Sequence, residues 1–489
     1  MDTLVLILYA MLLVFIFLFS MTQLNLAIGY VRWKNRKENK HQNAGLSEFP
    51  FVTVQLPVYN ELYVVERLIR ATCELEYPRN KLEIQVLDDS DDESFELAAK
   101  LIRQMQLEGL DIQHIHRPDR TGFKAGALQF GLLRSRGEFI AIFDADFIPQ
   151  KDFLANTIPH LLADAQLGVV QTRWLHLNAD YSLLTRVQAF GLDAHFSVEQ
   201  VARNAAHHFI NFNGTAGVWR KDTIIDAGGW QSDTLTEDLD LSYRAQLKGW
   251  NFKYLEDVGS PSELPIDMNA LKNQQFRWTK GAAECAVKNL PGVLRDKKLL
   301  PSHKVHAVFH LMNSFVFVCI LGTAVLSIPL MFVKQRQPGL SGLFHIASFF
   351  LLSFLVLALF YWVSRPAGSL GSRLKKFSVE FPLFLSLSMG LSLHNSIAVI
   401  EGYLGFKTPF IRTPKFALLP AEGNWSNRKY RPVKMSLLTI AEFFLACYFA
   451  FGLMMAFVLH DFGLFPFHLM LTFGFAAVVW YSFKHTRGN

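Results

Sequence analysis

FIAIFDAD, residues 139–146, runs five apolar residues straight into two acids separated by one alanine. A short run that is apolar at every position reads as a strand buried on both faces. Working outward, FVTVQLPVY (51–59) and LEIQVLDD (82–89) have the same form, and DIQHIHR (111–117) reads as a further strand. ELYVVERLIRATCEL (61–75) and KAGALQFGLLRSR (124–136) read as helices between them. Such alternation predicts an α/β domain with a doubly wound, mostly parallel sheet. Acids gather at the carboxyl ends of the strands, where open α/β sheets bind ligands. Neither a Gly-rich dinucleotide fingerprint nor a GxxxxGK[ST] loop occurs, so any nucleotide is held by another device.

The flanks are different. The chain has 489 residues, 51% hydrophobic and only 18% charged, which excludes a disordered chain and a small disulfide scaffold. Its net charge of +6 is too mild to imply nucleic acid. Four scattered cysteines make no C-x-x-C pair, and Cys73 and Cys285 suit a reducing compartment. Residues 4–30 carry no charge and exceed the ~20 residues that cross a bilayer. A signal peptide would want a basic start, and the chain opens Met1-Asp2, so an anchor is expected. Further apolar blocks run about 305–333, 342–364, 377–400, 436–460 and 464–483.

Arg32, Lys34, Arg36, Lys37 and Lys40 follow the first block, which sets residue 31 onward in the cytoplasm. Arg365, Arg373, Lys375 and Lys376, and the basic stretch 401–435, are expected on the same side. Residues 377–400, carrying Ser, His394 and Asn395, are then an interfacial or re-entrant helix. The expectation is an integral membrane protein with five spans, N-terminus outside and C-terminus cytoplasmic. Six spans with a basic external loop is the alternative. The domains follow: 1–31 an anchor, 45–303 the cytoplasmic α/β domain, 304–364 two spans, 377–435 an interfacial helix with a loop, and 436–489 two spans.

Within the α/β domain the chemistry has several candidates. Asp144 and Asp146 alternate on an extended backbone and can meet one hard cation, or form a solvated strand end. Asp88 and Asp89 can accept from a nucleoside, or make an Asx turn with Ser90. Thr236-Glu237-Asp238 reads either as a helix start capped by Thr236 or as the site of a general base. In Gln274-Gln275-Phe276-Arg277-Trp278 the Arg can pair with phosphate and the Trp can stack on a sugar, or both can anchor a membrane-facing helix. Arg120 and Lys124 stand near a helix start suited to phosphate, and FNGTAGVW (212–219) would let backbone approach a ligand closely.

The ordered series P57-V-Y-N-E61, L87-D-D-S, R120-T-G-F-K-A-G-A, D144-A-D, F212-N-G-T-A-G-V-W-R, T236-E-D, S262-E-L-P and Q274-Q-F-R-W resembles processive family-two glycosyltransferases of GT-A fold. Among them it is most similar to the cellulose-synthase-like mannan synthases and their bacterial relatives. The resemblance covers residues about 45–300 closely and the flanks loosely. It implies an inverting, metal-dependent hexosyltransferase. Such an enzyme extends a β-linked polysaccharide (β-mannan, glucomannan or β-glucan) from UDP-glucose or GDP-mannose and secretes it through its own channel. A non-processive transferase acting on a lipid acceptor is the alternative.

By the same resemblance Asp238 is the base, beside Glu237 and Thr236. Tyr59, Glu61, Asp88, Asp89, Lys124, Asp144, Gln274 and Arg277 hold the donor, and Asp144 and Asp146 the Mg2+ or Mn2+. Trp278, Phe212, Asn213 and Gly214 meet the acceptor. F410-I-R-T-P-K415 is similar to the F-x-V-T-x-K gating loop of cellulose synthases, which adds Thr413 and Lys415 to the donor set. Arg412 departs from the expected Val.

Overall fold

The apolar runs pair into one seven-stranded sheet in the computed structural model, which describes residues 2–36, 48–337, 339, 352–366, 368–417, 429–430 and 436–487. The strands are β1 (Val52–Val58), β2 (Leu82–Asp88), β3 (Ile112–His116), β4 (Phe139–Ile142), β5 (Leu167–His176), β6 (Gly217–Arg220) and β7 (Asn251–Ser262). Their spatial order is β3-β2-β1-β4-β6-β5-β7, and only β6 runs antiparallel to its neighbours. The GT-A-like, mostly parallel sheet is as expected.

Register places the chemistry. Val58 pairs with Asp88 and Gln55 with Ile142, so Tyr59, Asp89 and Asp144 leave the sheet along one edge. Because β6 is antiparallel, its entry rather than its exit lies at that edge. Ile142 pairs with Gly217, and the Ala216 N–H donates to the Ile142 carbonyl at 2.8 Å. Asn213 and Gly214 therefore arrive beside the acids.

Helix α1 (Asp2–Asn35) precedes the sheet, and α2 (Val65–Cys73), α3 (Glu93–Leu107), α4 (Phe123–Leu132) and α5 (Phe153–Ala163) link the early strands. Then come α6 (Leu183–Ala194), a π-turn at His195–Glu199, α7 (Gln200–Ala205), α8 (Lys221–Asp226), α9 (Glu237–Leu247), α10 (Met268–Arg295) and α11 (Pro301–Leu311). One face of the sheet buries Val54, Leu56, Ile84 and Phe143 against α2, α3 and α5. The other buries Ile140, Ile142, Val169 and Trp219 against α4 and α9, with Leu26, Ala27 and Tyr30 from the end of α1. Each such side chain contributes about 1.5–3 kcal/mol.

The remaining helices are α12 (Phe315–Arg336), α13 (Leu352–Val363), α14 (Leu370–Gly390), α15 (Ser392–Leu404), α16 (Leu438–Val458) and α17 (Phe465–Arg487). Among the described residues, α1, α12, α16 and α17 are long and apolar enough to cross a membrane, and the α14–α15 pair, bent by 51°, makes a fifth candidate. Two expectations change. The block at 305–333 is two helices: α11 turns back onto the α/β domain, where the Tyr243 hydroxyl meets His310 Nδ1 at 2.8 Å. The helix expected at 377–400 starts earlier, at Leu370, and breaks at Leu391. Of the block at 342–364, residues 342–351 lie outside the described residues, as do Lys37, Lys40 and most of 418–435.

Small residues set the helix crossings, as in membrane bundles. A Cβ on Gly474 would fall 1.9 Å from the Ser386 carbonyl oxygen, so α17 and α14 touch backbone to backbone. Two buried lysines join α10 to these helices. Lys272 Nζ meets Glu442 Oε2 on α16 at 2.6 Å and Ser482 Oγ on α17 at 3.1 Å. Lys280 Nζ, fully buried, meets Glu401 Oε2 on α15 at 3.1 Å.

Candidate active site

One cavity opens along the carboxyl edge of the sheet. Tyr59, Glu61, Asp89, Lys124, Asp144, Asp146, Asn213, Gly214, Thr236, Glu237, Asp238, Gln274, Arg277, Trp278, Thr413 and Lys415 all line it. Sixteen of the eighteen expected site residues therefore converge from eight separate segments.

Asp144 and Asp146 each face a lysine. Lys124 Nζ stands 2.5 Å from Asp144 Oδ1, and Lys415 Nζ 2.5 Å from Asp146 Oδ2. Burial pulls the Lys124 ammonium down, but Asp144, Glu237 and Asp238 outweigh it and hold the pKa above its ordinary value. The ammonium also donates to the Gly214 carbonyl at 3.0 Å. Gly214 has φ +79°, and a Cβ there would lie 3.0 Å from Asp238 Oδ2 and 3.4 Å from Lys124 Nζ. Only glycine suits both the turn and the space.

Asp238 sits in the first turn of α9, its Oδ1 accepting from the Leu239 N–H at 2.9 Å. Burial, then the neighbouring Glu237 charge, pushes its carboxyl up to about 7, against the opposing pull of Lys124. A carboxylate that takes up protons near neutrality suits a general base. Thr236 does not cap the helix: no side-chain cap bond forms, and its hydroxyl faces Cys285 Sγ at 3.4 Å, because α10 packs against it.

Two other expectations fail on geometry. Asp88 is fully buried and lies outside the cavity. Its Oδ1 accepts from the Ser90 N–H at 2.9 Å and its Oδ2 meets His114 Nε2 at 2.9 Å, so it ties β2 to β3. Phe212 is fully buried too, with its ring edge-on to Trp219 at 5.4 Å, and belongs to the core. Asp89 lines the cavity, but Arg117 grips both its oxygens, with Nε 2.9 Å from Oδ1.

Phe410, Arg412, Thr413 and Lys415, from the loop at 406–417, also line the cavity. Phe410 lies over Phe123, with centroids 5.7 Å apart, and the Arg277 guanidinium sits 4.7 Å from the Phe410 ring. Arg412, the departure from the gating-loop pattern, pairs with Glu61 Oε2 at 3.0 Å and binds the Asn60 carbonyl. Burial raises the Glu61 carboxyl to about 8, with Arg412 opposing. Lys415 Nζ also donates to the Glu263 carbonyl at 2.9 Å. Glu263 in turn holds Arg67 at 2.6 Å and accepts from the Ala417 N–H at 3.1 Å. Sequence reasoning assigned no role to Arg117 and gave Glu263 only a place in a motif. For Arg412 the departure from Val was the available signal.

Among the described residues no cluster of three or more His, Cys, Asp or Glu side chains could hold a metal. The pair Asp144 and Asp146 fits instead a hard cation of the Mg2+ type, which binds through one or two carboxylates and takes its remaining oxygens from phosphates and water.

A family model described as "Glycosyltransferase like family 2" matches residues 50–281. Glucomannan 4-beta-mannosyltransferase 2 of Arabidopsis thaliana is 42% identical over 291 residues, which is 59% of this chain and 54% of that protein. Glucomannan 4-beta-mannosyltransferase 1 of Oryza sativa subsp. japonica is 41% identical over 298 residues, 58% of this chain and 57% of that protein. The matches thus span a little over half the length of these relatives. In structure the chain is similar to the mannosyltransferase PcManGT of Pyrobaculum calidifontis, solved with GDP-Man and Mn2+. The TM-score is 0.53 at 19% identity, covering 82% of this chain and all of the other. That likeness shows the fold.

Proposed function

We propose that this chain, whose residues 50–281 form a family-two glycosyltransferase domain, is an inverting β-hexosyltransferase that lengthens a polysaccharide at a membrane. The observation that carries the reading is the single cavity shared by Asp144, Asp146, Asp238, Gln274, Arg277 and Trp278. Relatives above 40% identity are named mannosyltransferases, which favours GDP-mannose over UDP-glucose and a β-mannan or glucomannan product.

Asp238 takes the proton from the acceptor hydroxyl as that oxygen attacks the anomeric carbon. The nucleoside diphosphate leaves from the opposite face, so an α-linked donor gives a β-linked product. Lys124 and Arg277 face the negative charge that grows on the leaving group. Trp278 offers a flat ring for the acceptor's terminal sugar and, with Gln274, holds its hydroxyl in line, which lowers the entropic barrier. Asp144 and Asp146 would hold Mg2+ or Mn2+, which when bound supplies neutralisation of the diphosphate. Arg412 and Lys415 tether the loop at 406–417 over the donor through Glu61 and Asp146.

The basic ends of the apolar helices favour the sugar-transfer domain on the cytoplasmic side, with the product leaving between the helices. The deciding experiment supplies purified protein with a panel of nucleotide sugars. It reads which diphosphate is released and sizes the product before and after β-mannanase. GDP release with long, mannanase-sensitive chains is expected. A single sugar on lipid would overturn polymerisation, and UDP release would overturn the donor.

A further inference from the structure

Asn213 reaches the active cavity beside Gly214, and its side chain is held from behind by the junction of α6 and α7. There the helix opens into the π-turn His195–Glu199, where the Gln200 N–H bonds the His195 carbonyl five residues back. Such turns inside helices gather at functional sites.

One backbone carbonyl fixes every hydrogen in this network. Gln200 Nε2 lies 3.1 Å from the Asn211 carbonyl, which can only accept, so that end of Gln200 is the amide nitrogen. Its second N–H donates to Asn213 Oδ1 at 2.7 Å. Asn213 Nδ2 therefore faces His195 Nε2, 3.1 Å away, and donates to it. The imidazole must then carry its proton on Nδ1, which meets Glu199 Oε2 at 2.9 Å. Arg203, fully buried, grips the other oxygen of Glu199 at 3.1 and 3.0 Å. Burial pushes the Glu199 carboxyl up, but Arg203 and then His195 outweigh it and hold it below the ordinary range. The carboxylate is thus a standing acceptor for the Nδ1 proton.

Asn213 has one side-chain hydrogen left. Its Oδ1 is taken by Gln200 and one Nδ2–H by His195, so the remaining N–H can meet a ligand oxygen in the cavity. Gly214, next in the chain, adjoins Asp238. The Asn213 backbone N–H is tied separately, to Gln171 Oε1 at 2.9 Å, so the loop itself does not hang on the imidazole.

We propose that His195, with Glu199 behind it, is a positioning residue that keeps the Asn213 amide nitrogen turned toward the cavity, where it donates to a hydroxyl oxygen of the acceptor sugar. An imidazole protonated on Nε2 would set N–H against N–H, and the amide would lose that anchor. The role rests on the sugar-transfer reading above and on Asn213 meeting the acceptor.

The test uses the full chain in nanodiscs, with GDP-mannose and β-1,4-mannotetraose, and follows GDP release. His195→Leu is expected to raise the apparent KM for mannotetraose about tenfold and to leave the KM for GDP-mannose unchanged. His195→Gln, whose side-chain oxygen can accept where Nε2 did, should recover most of the loss. His195→Asn keeps a donor for Glu199 yet stops short of Asn213. It should match the leucine variant, and it replaces that variant should the leucine chain fail to assemble. A double-mutant cycle decides whether His195 acts through Asn213: with Asn213→Ala already in place, His195→Leu should add less than about twofold. Full additivity, or a wild-type KM for mannotetraose in the His195 variants, overturns the positioning role alone. Wild-type protein whose GDP release is indifferent to mannotetraose overturns the acceptor reading and the positioning role with it.

Discussion

Replacing Glu237 by Gln should move the acid limb of the rate profile. The Asp238 carboxyl is held up to about 7 by burial and then by the Glu237 charge, with Lys124 pulling the other way. Below that value the base carries a proton, and kcat/KM falls about tenfold for each pH unit. A unit charge about 7 Å away at an effective dielectric of about 20 is worth about 2.4 kcal/mol. Water at the mouth of the cavity reduces this to roughly 1.4 kcal/mol, or about one pH unit. Glu237→Gln should therefore carry the limb about one unit toward acid, and Lys124→Met should carry it toward alkali. The assay is nucleoside diphosphate release at low donor concentration from about pH 5 to about pH 9. A limb that stays put in Glu237→Gln, or moves upward, would refute Asp238 as the titrating base.

Asp238→Asn should abolish turnover while leaving donor affinity intact, measured by calorimetry. It should also melt higher at alkaline pH: the folded pKa lies above the unfolded one, so the native carboxyl costs stability as pH rises through about 7, and the amide does not. Gly214→Ala crowds Asp238 and strains a left-handed turn, so a kcat loss beyond tenfold and roughly 1 kcal/mol of destabilisation are expected. Arg412→Met leaves Glu61 buried without its cation and frees the loop, and the KM for donor should rise about tenfold. Chelation by EDTA should stop turnover, Mn2+ or Mg2+ should restore it, and Asp146→Asn should need more cation for half-maximal rate.

The sheet was legible because its strands are apolar at nearly every position, as FIAIFDAD shows. The antiparallel β6 was not, since GVWR carries no mark of direction, and that direction brings Gly214 to Asp238. Ordered motifs found most of the cavity's lining. They failed at Asp88 and Phe212, which sit inside well-chosen motifs yet point into the core, because side chains alternate along an extended backbone. The block at 305–333 misled as one apolar run, for hydropathy does not register that His306 and His310 are buried where α11 packs back onto the α/β domain. Lys415, the partner of Asp146, lies 269 residues further along the chain, and nothing local in the sequence could pair the two.

The helix that bears Gln274, Arg277 and Trp278 is riveted by Lys272 and Lys280 to acids on α16 and α15. A water-soluble fragment cut after α11 would keep the sheet but strand both ammonium groups without their counter-ions, and the aromatic platform would lose its seat. Exchanging the α/β domain between relatives therefore means carrying the distant helices along with it, as one heritable block.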